Sequence, residues 1–116
     1  MENKEIELNG IKYIPKDTVI IENKVSVVEG TPFKIKGKYL IRTVTMIYTG
    51  LLEKVYNKQL VLTKCAWIAD TGRWTQAVKD NDFAEVEPYP IDTEVIINSD
   101  TILDMCLIDT LPTTQK

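Results

Sequence analysis

The chain has 116 residues, an apolar share of 44% and a formal charge of −3, which bounds it to a modest globular domain. It contains no histidine, which excludes Ser-His-Asp and Cys-His catalysis, zinc sites built from Cys and His, and histidine-based pH sensing. No apolar run approaches the roughly 18 residues of a membrane helix, and the charged start MENKEIELNG is not a secretion signal, so a cytoplasmic setting with Cys65 and Cys106 as free thiols is expected.

In chain order, residues 5–14 (EIEL-NG-IKYI) read as a hairpin, with Asn9-Gly10 the preferred pair for a tight type I′ turn. Pro15 ends its second strand. Residues 18–28 carry two β-branched runs, Val19-Ile20-Ile21 and Val25-Ser26-Val27-Val28, separated by Glu22-Asn23-Lys24. They predict a second hairpin. Glu29-Gly30-Thr31-Pro32 is a turn cluster, and it predicts a division into a 1–30 arm and a 31–112 body, followed by a 113–116 polar tail.

Residues 38–48 (KYLIRTVTMIY) predict one long strand. Apolar side chains fall on both of its faces, as in a central strand. Gly50 is expected to break it. Residues 51–56 then pair back through Asn57-Lys58 with residues 59–69, which completes a three-strand meander. Asp70-Thr71-Gly72 ends the last strand, and Asp70 or Thr71 is expected to cap a helix over residues 73–79. That helix is expected to bury Trp74, Ala77 and Val78. Residues 80–90 read as an acidic loop carrying Phe83 and Tyr89. Two strands, residues 93–98 and 101–108, close the chain around Ser99-Asp100. The predicted fold is α+β and mostly β: an antiparallel meander sheet or small barrel with one short helix, plus the N-terminal hairpin.

Charge and aromatic residues are unevenly placed. Nine acids and no Lys or Arg lie between residues 80 and 115. The lysines are dispersed among acids and form no basic stripe, which argues against binding long DNA or RNA. The only two arginines, Arg42 and Arg73, and the only two tryptophans, Trp67 and Trp74, lie between residues 42 and 74. A guanidinium clamps carboxylate or phosphate and stacks on rings, and an indole has a large flat face.

The segments GKYLIRTVTMIYTG and CAWIADTGRW resemble a group of small uncharacterised proteins encoded by bacteriophages. Those proteins pair an R-T…Y-x-G strand with an A-x-W…G strand, a short helix and a closing pair of strands. The resemblance covers residues 36–111. It implies a viral origin, the cytoplasm of an infected bacterial host, and a β-sheet-plus-helix fold. It brings no established activity.

Each candidate site residue has a structural and a functional reading. Arg42 either pairs inward with an acid such as Asp70 or Asp104, or forms the floor of an anion pocket. Arg73 opposes the helix dipole, and either Asp70 or a ligand anion offsets it. Gly72 lets an anion approach the backbone there. Trp67, with Tyr48, either packs in the core or presents a ring face for stacking. Asp70, Asp80 and Asp82 lack the glycine and ligand order of a calcium loop, so no metal and no cofactor is expected. The site is therefore expected at Arg42, Tyr48, Trp67, Asp70, Thr71 and Arg73, without a catalytic set.

The expected function is non-enzymatic binding and sequestration of a small anionic, nucleotide-derived ligand, such as a cyclic nucleotide or ADP-ribose derivative, to blunt a host immune signal. A chain this short builds few deep pockets, so a homo-oligomer is expected. Two other functions remain open: a structural or assembly component of the phage particle, and an acidic inhibitor of a host protein.

Overall fold

The structure is a computed structural model that describes residues 7–8, 11–12 and 26–116. It divides into two units, Met1–Lys36 and Gly37–Lys116. The sequence expectation places the division after residue 30. The turn at Glu29-Gly30-Thr31-Pro32 instead lies within the first unit, where it closes a hairpin.

In the first unit, β1 (Glu7–Leu8) pairs antiparallel with β2 (Ile11–Lys12). Glu7 lies opposite Lys12 and Leu8 opposite Ile11, the register that a two-residue connection produces; Asn9-Gly10 itself lies outside the described residues. Farther on, β3 (Ser26–Val27) pairs with β4 (Lys34–Ile35). Gly30 takes a positive φ of 80° in the turn between them, and Val28 N–H donates to Phe33 O at 2.9 Å. The expected partner run Val19-Ile20-Ile21 lies outside the described residues.

The second unit is built on a meander of β5 (Lys38–Thr43), β6 (Ile47–Tyr56) and β7 (Gln59–Asp70). The single strand expected over residues 38–48 is corrected: the chain turns at Val44-Thr45-Met46. Thr43 makes that turn. Its N–H and hydroxyl both donate to Met46 O at 2.8 Å, and its hydroxyl accepts from Met46 N at 3.0 Å. No Gly or Pro marks the turn, and its β-branched residues continue the strand pattern, so periodicity reads through it. Gly50 does not break a strand either. It lies inside β6 at a bulge, and a Cβ there would sit 3.2 Å from the Leu62 side chain. Glycine allows the close approach of β6 and β7. The Asn57-Lys58 turn falls as expected, with Tyr56 opposite Gln59.

The expected acidic loop over residues 80–90 contains a strand, β8 (Glu85–Pro88), whose Val86 is buried between exposed Glu85 and Glu87. β8 pairs with the C-terminal half of β7, and β9 (Val95–Asn98) pairs with the N-terminal half. A 3-10 turn, Ser99–Thr101, leads to β10 (Ile102–Leu107), which pairs with β5. The order is β10-β5-β6-β7-β8, all antiparallel, with β9 beside β7. In a flat sheet β9 and β10 would lie about 19 Å apart, but the link between them reaches at most about 14 Å. The sheet therefore coils, and the bulges in β6 and β7 bend it. It remains an open antiparallel sheet and not a closed barrel.

Both faces of β5 are buried, as its two-sided apolar pattern implies. Tyr39 and Ile41 point to one face and Leu40 to the other. On the Leu40 face, the seven-residue helix α1 (Trp74–Asp80) packs over a core of Leu40, Ala66, Ile68, Ala77, Phe83, Val86 and Ile108. The residues expected as a polar tail return to the sheet: Lys116 N donates to Val86 O, and Val86 N to Lys116 O, both at 3.0 Å.

Candidate functional site

At the end of β7 the chain makes a tight corner into α1. Gly72 N–H donates to Asp70 Oδ1 at 2.8 Å, and the Thr71 hydroxyl donates to Gly72 O at 2.9 Å. Gly72 takes a positive φ of 70°, which suits a residue without Cβ. The expected capping by Asp70 or Thr71 is corrected. Arg73 occupies the N-cap position, and no side chain caps the helix. Asp70 and Thr71 bond within the corner, so their oxygens shape the turn and do not reach the first helical turn. The helix ends at Asn81, whose Oδ1 accepts from Asp109 N and Thr110 N at 3.0 Å.

A cavity of about 250 Å³ opens beside this corner, lined by Gly72, Arg73, Gln76, Asp82, Phe83, Ala84 and Lys116. Lys116 Nζ donates to Asp82 Oδ1 at 2.6 Å. Among the described residues, the Arg73 guanidinium has no hydrogen bond or ion pair. Phe83, the apolar wall, is 2% exposed and belongs to the core beneath α1.

Arg42 lies elsewhere, and its state is different. Its Nε donates to Asp104 Oδ1 at 2.8 Å, and a second bond joins Nη2 to Asp104 Oδ2, a two-pronged clamp. The Arg42 guanidinium carbon sits 5.0 Å from the centroid of the Trp74 ring, within cation–π range. The inward arginine and buried Trp74 of the sequence expectation are corrected: the two paired side chains are 42% and 54% exposed, and Trp74 is 39% exposed. A seven-residue helix buries only Ala77 fully. Trp74, in its first turn, overhangs β5 instead. The hydrogen bond and charge of Asp104 raise the Arg42 pKa above its ordinary value, and Arg42 in turn holds the Asp104 carboxyl below the usual carboxylate value.

Tyr48 and Trp67 lie opposite one another across β6 and β7, and side chains so paired share one face. Ile41, opposite Tyr48 on the other side, alternates with Leu40, so this is the face turned away from α1. The Tyr48 hydroxyl donates to Met46 Sδ at 3.3 Å. Tyr89 adjoins them: burial first, then the charge of the neighbouring Tyr48 phenol, raises its phenol pKa. Trp67 is 39% exposed.

The six expected residues therefore fall in three places. Asp70, Thr71 and Arg73 share the corner, Tyr48 and Trp67 share the opposite face, and Arg42 is bound to Asp104. Sequence reasoning missed Lys116 and Gln76 as pocket-lining residues. No sequence signal marks Lys116, because its place depends on the return of the chain to β8. Cys65 is buried, and burial pushes its thiol up to about 12, so it is stored in the neutral form. Among the described residues, no group of three or more His, Cys, Asp or Glu is arranged to hold a metal ion. No helix among them is long and apolar enough to cross a membrane. No protein-family model matches the chain, and no curated protein matches it.

Proposed function

We propose that this chain is a non-enzymatic binding protein that sequesters a small anionic, nucleotide-derived ligand at the Arg73 pocket. The observation that carries this reading is a guanidinium at the rim of a cavity with no hydrogen bond or ion pair among the described residues. An arginine so placed presents its whole donor fork to phosphate or carboxylate. Lys116 adds a second cation, partly offset by Asp82. A volume of about 250 Å³ is below that of a typical drug-sized site; it suits the phosphate-bearing part of a ligand, with the remainder outside the cavity. The viral origin that the resemblance implies is the setting in which sequestering a host immune signal would serve.

Calorimetry tests this reading, with cyclic dinucleotides, cyclic trinucleotides and cyclic ADP-ribose as probes and inorganic phosphate as the control. Heat is expected with at least one nucleotide probe, and its loss in Arg73→Ala without a change in thermal unfolding. Absence of heat with every probe, from folded protein, overturns the reading.

A second reading, a component of a phage particle, is favoured by large exposed apolar side chains. Ile91 is 89% exposed, Val44 65% and Ile96 60%. Mass spectrometry of purified particles decides it: absence of the chain removes this reading.

A further inference from the structure

The two ends of the sheet are finished differently. At β8 the outer edge carries Glu85, Glu87 and Pro88, and Lys116 exchanges two backbone hydrogen bonds with Val86. Charge, proline and a covering segment are the usual defences of an edge strand against pairing with another chain. At β10 (ILDMCL), among the described residues, these defences are missing. It has no Lys, Arg or Pro, and among the described residues β5 is its only partner strand. Its single charge, Asp104, is clamped by Arg42 of the same chain. Leu103 and Leu107 are 64% and 48% exposed.

The ladder also fixes which backbone groups face outward. Ile108 N–H donates to Lys38 O at 2.8 Å. In an antiparallel pair, bonded and non-bonded residues alternate. Cys106 and Asp104 therefore turn their N–H and C=O groups to β5, and Met105 and Leu107 turn theirs away. The bulge in β10 lies between Ile102 and Asp104, so the pairing from Asp104 to Leu107 is regular.

We propose that the outer edge of β10 is a homodimer interface, where β10 of a second copy pairs antiparallel about a two-fold axis at Cys106. This register sets Met105 of each copy opposite Leu107 of the other. All the outward N–H and C=O groups of the regular segment are then used, in four hydrogen bonds. Such an isologous contact closes on itself. A copy of this chain fits as the occupant because the edge is self-complementary in this register, and charge does not oppose it there. The chain carries a formal charge of −3, so like copies repel over most of their surface, whereas the β10 edge holds one carboxylate already neutralised by Arg42. Asp104 never faces its own copy in this register. The interface does not depend on the Arg73 pocket.

Light scattering with the full chain tests it. The expected mass is about twice 13.2 kDa at high protein concentration, falling to one chain on dilution. Met105→Pro removes an N–H that the monomer does not use, so a folded monomer is expected. Leu107→Lys places a charge beside its symmetry mate's Met105 and serves if the proline variant fails to fold. By hydrogen exchange, the Met105 and Leu107 amides are expected to be as slow as those of Asp104 and Cys106 in the dimer. The proposal is overturned by a single-chain mass at every concentration, by a folded Met105→Pro or Leu107→Lys variant that stays dimeric, or by unprotected Met105 and Leu107 amides in a dimer.

Discussion

Arg42 and Arg73 are the only arginines in the chain, and the fold leaves them in opposite states. Arg42 sits inside a strand, where the register of β5 with β10 sets Asp104 directly across from it. A sheet neighbour is a fixed neighbour, so the arginine finds its carboxylate within the chain. Arg73 sits beyond the end of β7, past a tight corner, where none of the described strands continues beside it. Among the described residues its charge meets no partner. Position relative to the ladder, more than residue type, decides which arginine is available for binding.

The largest expected effect breaks the Arg73 side of this comparison at its base. Phe83 is both the wall of the pocket and part of the core beneath α1. Phe83→Ala is expected to destabilise the fold by about 3–5 kcal/mol, measured by denaturant unfolding. A loss below about 1 kcal/mol would show that the pocket wall is independent of the core.

Exchanging alanine at the two arginines sharpens the comparison directly. A charged hydrogen bond to an anion is worth roughly 1.5–3 kcal/mol, so Arg73→Ala should weaken ligand binding by about 10- to 100-fold. Arg42→Ala should leave the binding heat as it was, because its fork is occupied by Asp104 and it lies outside the pocket lining. Equal losses in both variants would mean that the two arginines share one site.

What the sequence reveals of this contrast has a physical limit. The meander, the short helix and the mostly-β class are legible because they follow from local period and turn chemistry: Asn57-Lys58 closes β6 and β7 as read. The Thr43 turn is not legible, since its hydroxyl does the work that Gly or Pro usually signals. β8 is hidden by its composition: two glutamates and a proline around Val86 read as a loop until β7 provides a partner. The site divides in the same way. Asp70, Thr71 and Arg73 are adjacent in sequence and stay together, because a corner is local. Trp67 is close to them in sequence, but it lies on a strand opposite Tyr48, on the face turned away from α1. Lys116 enters the pocket only through a long-range backbone pairing.

Thr49 adds a third case beside the two arginines, a polar group that is buried and also unpartnered. It is fully buried in β6, opposite Leu40 and Ala66. Its Oγ1 has no hydrogen-bond partner among the described residues. An unsatisfied buried hydroxyl carries its desolvation cost without return. Thr49→Val keeps the branched shape and removes that cost, so stability should rise by about 1 kcal/mol, seen as a thermal midpoint higher by about 4 °C. A lower midpoint would identify a buried water bound to Oγ1.

The smallest expected effect belongs to the satisfied arginine. Arg42 holds the folded Asp104 carboxyl below its value in the unfolded chain, so folding favours the deprotonated form. The contribution of the pair is fully present above the unfolded carboxyl value, and it fades as pH falls through the depressed folded value. Asp104→Asn abolishes this dependence. The stability gap between parent and variant should therefore be widest near neutral pH and close in acid. Both side chains are exposed, so solvent and salt screen the pair, and the gap should shrink at high ionic strength. Thermal unfolding of parent and variant across acid pH, at low and high salt, measures it. A gap that persists in acid would show that Asp104 supports the fold by something other than its charge.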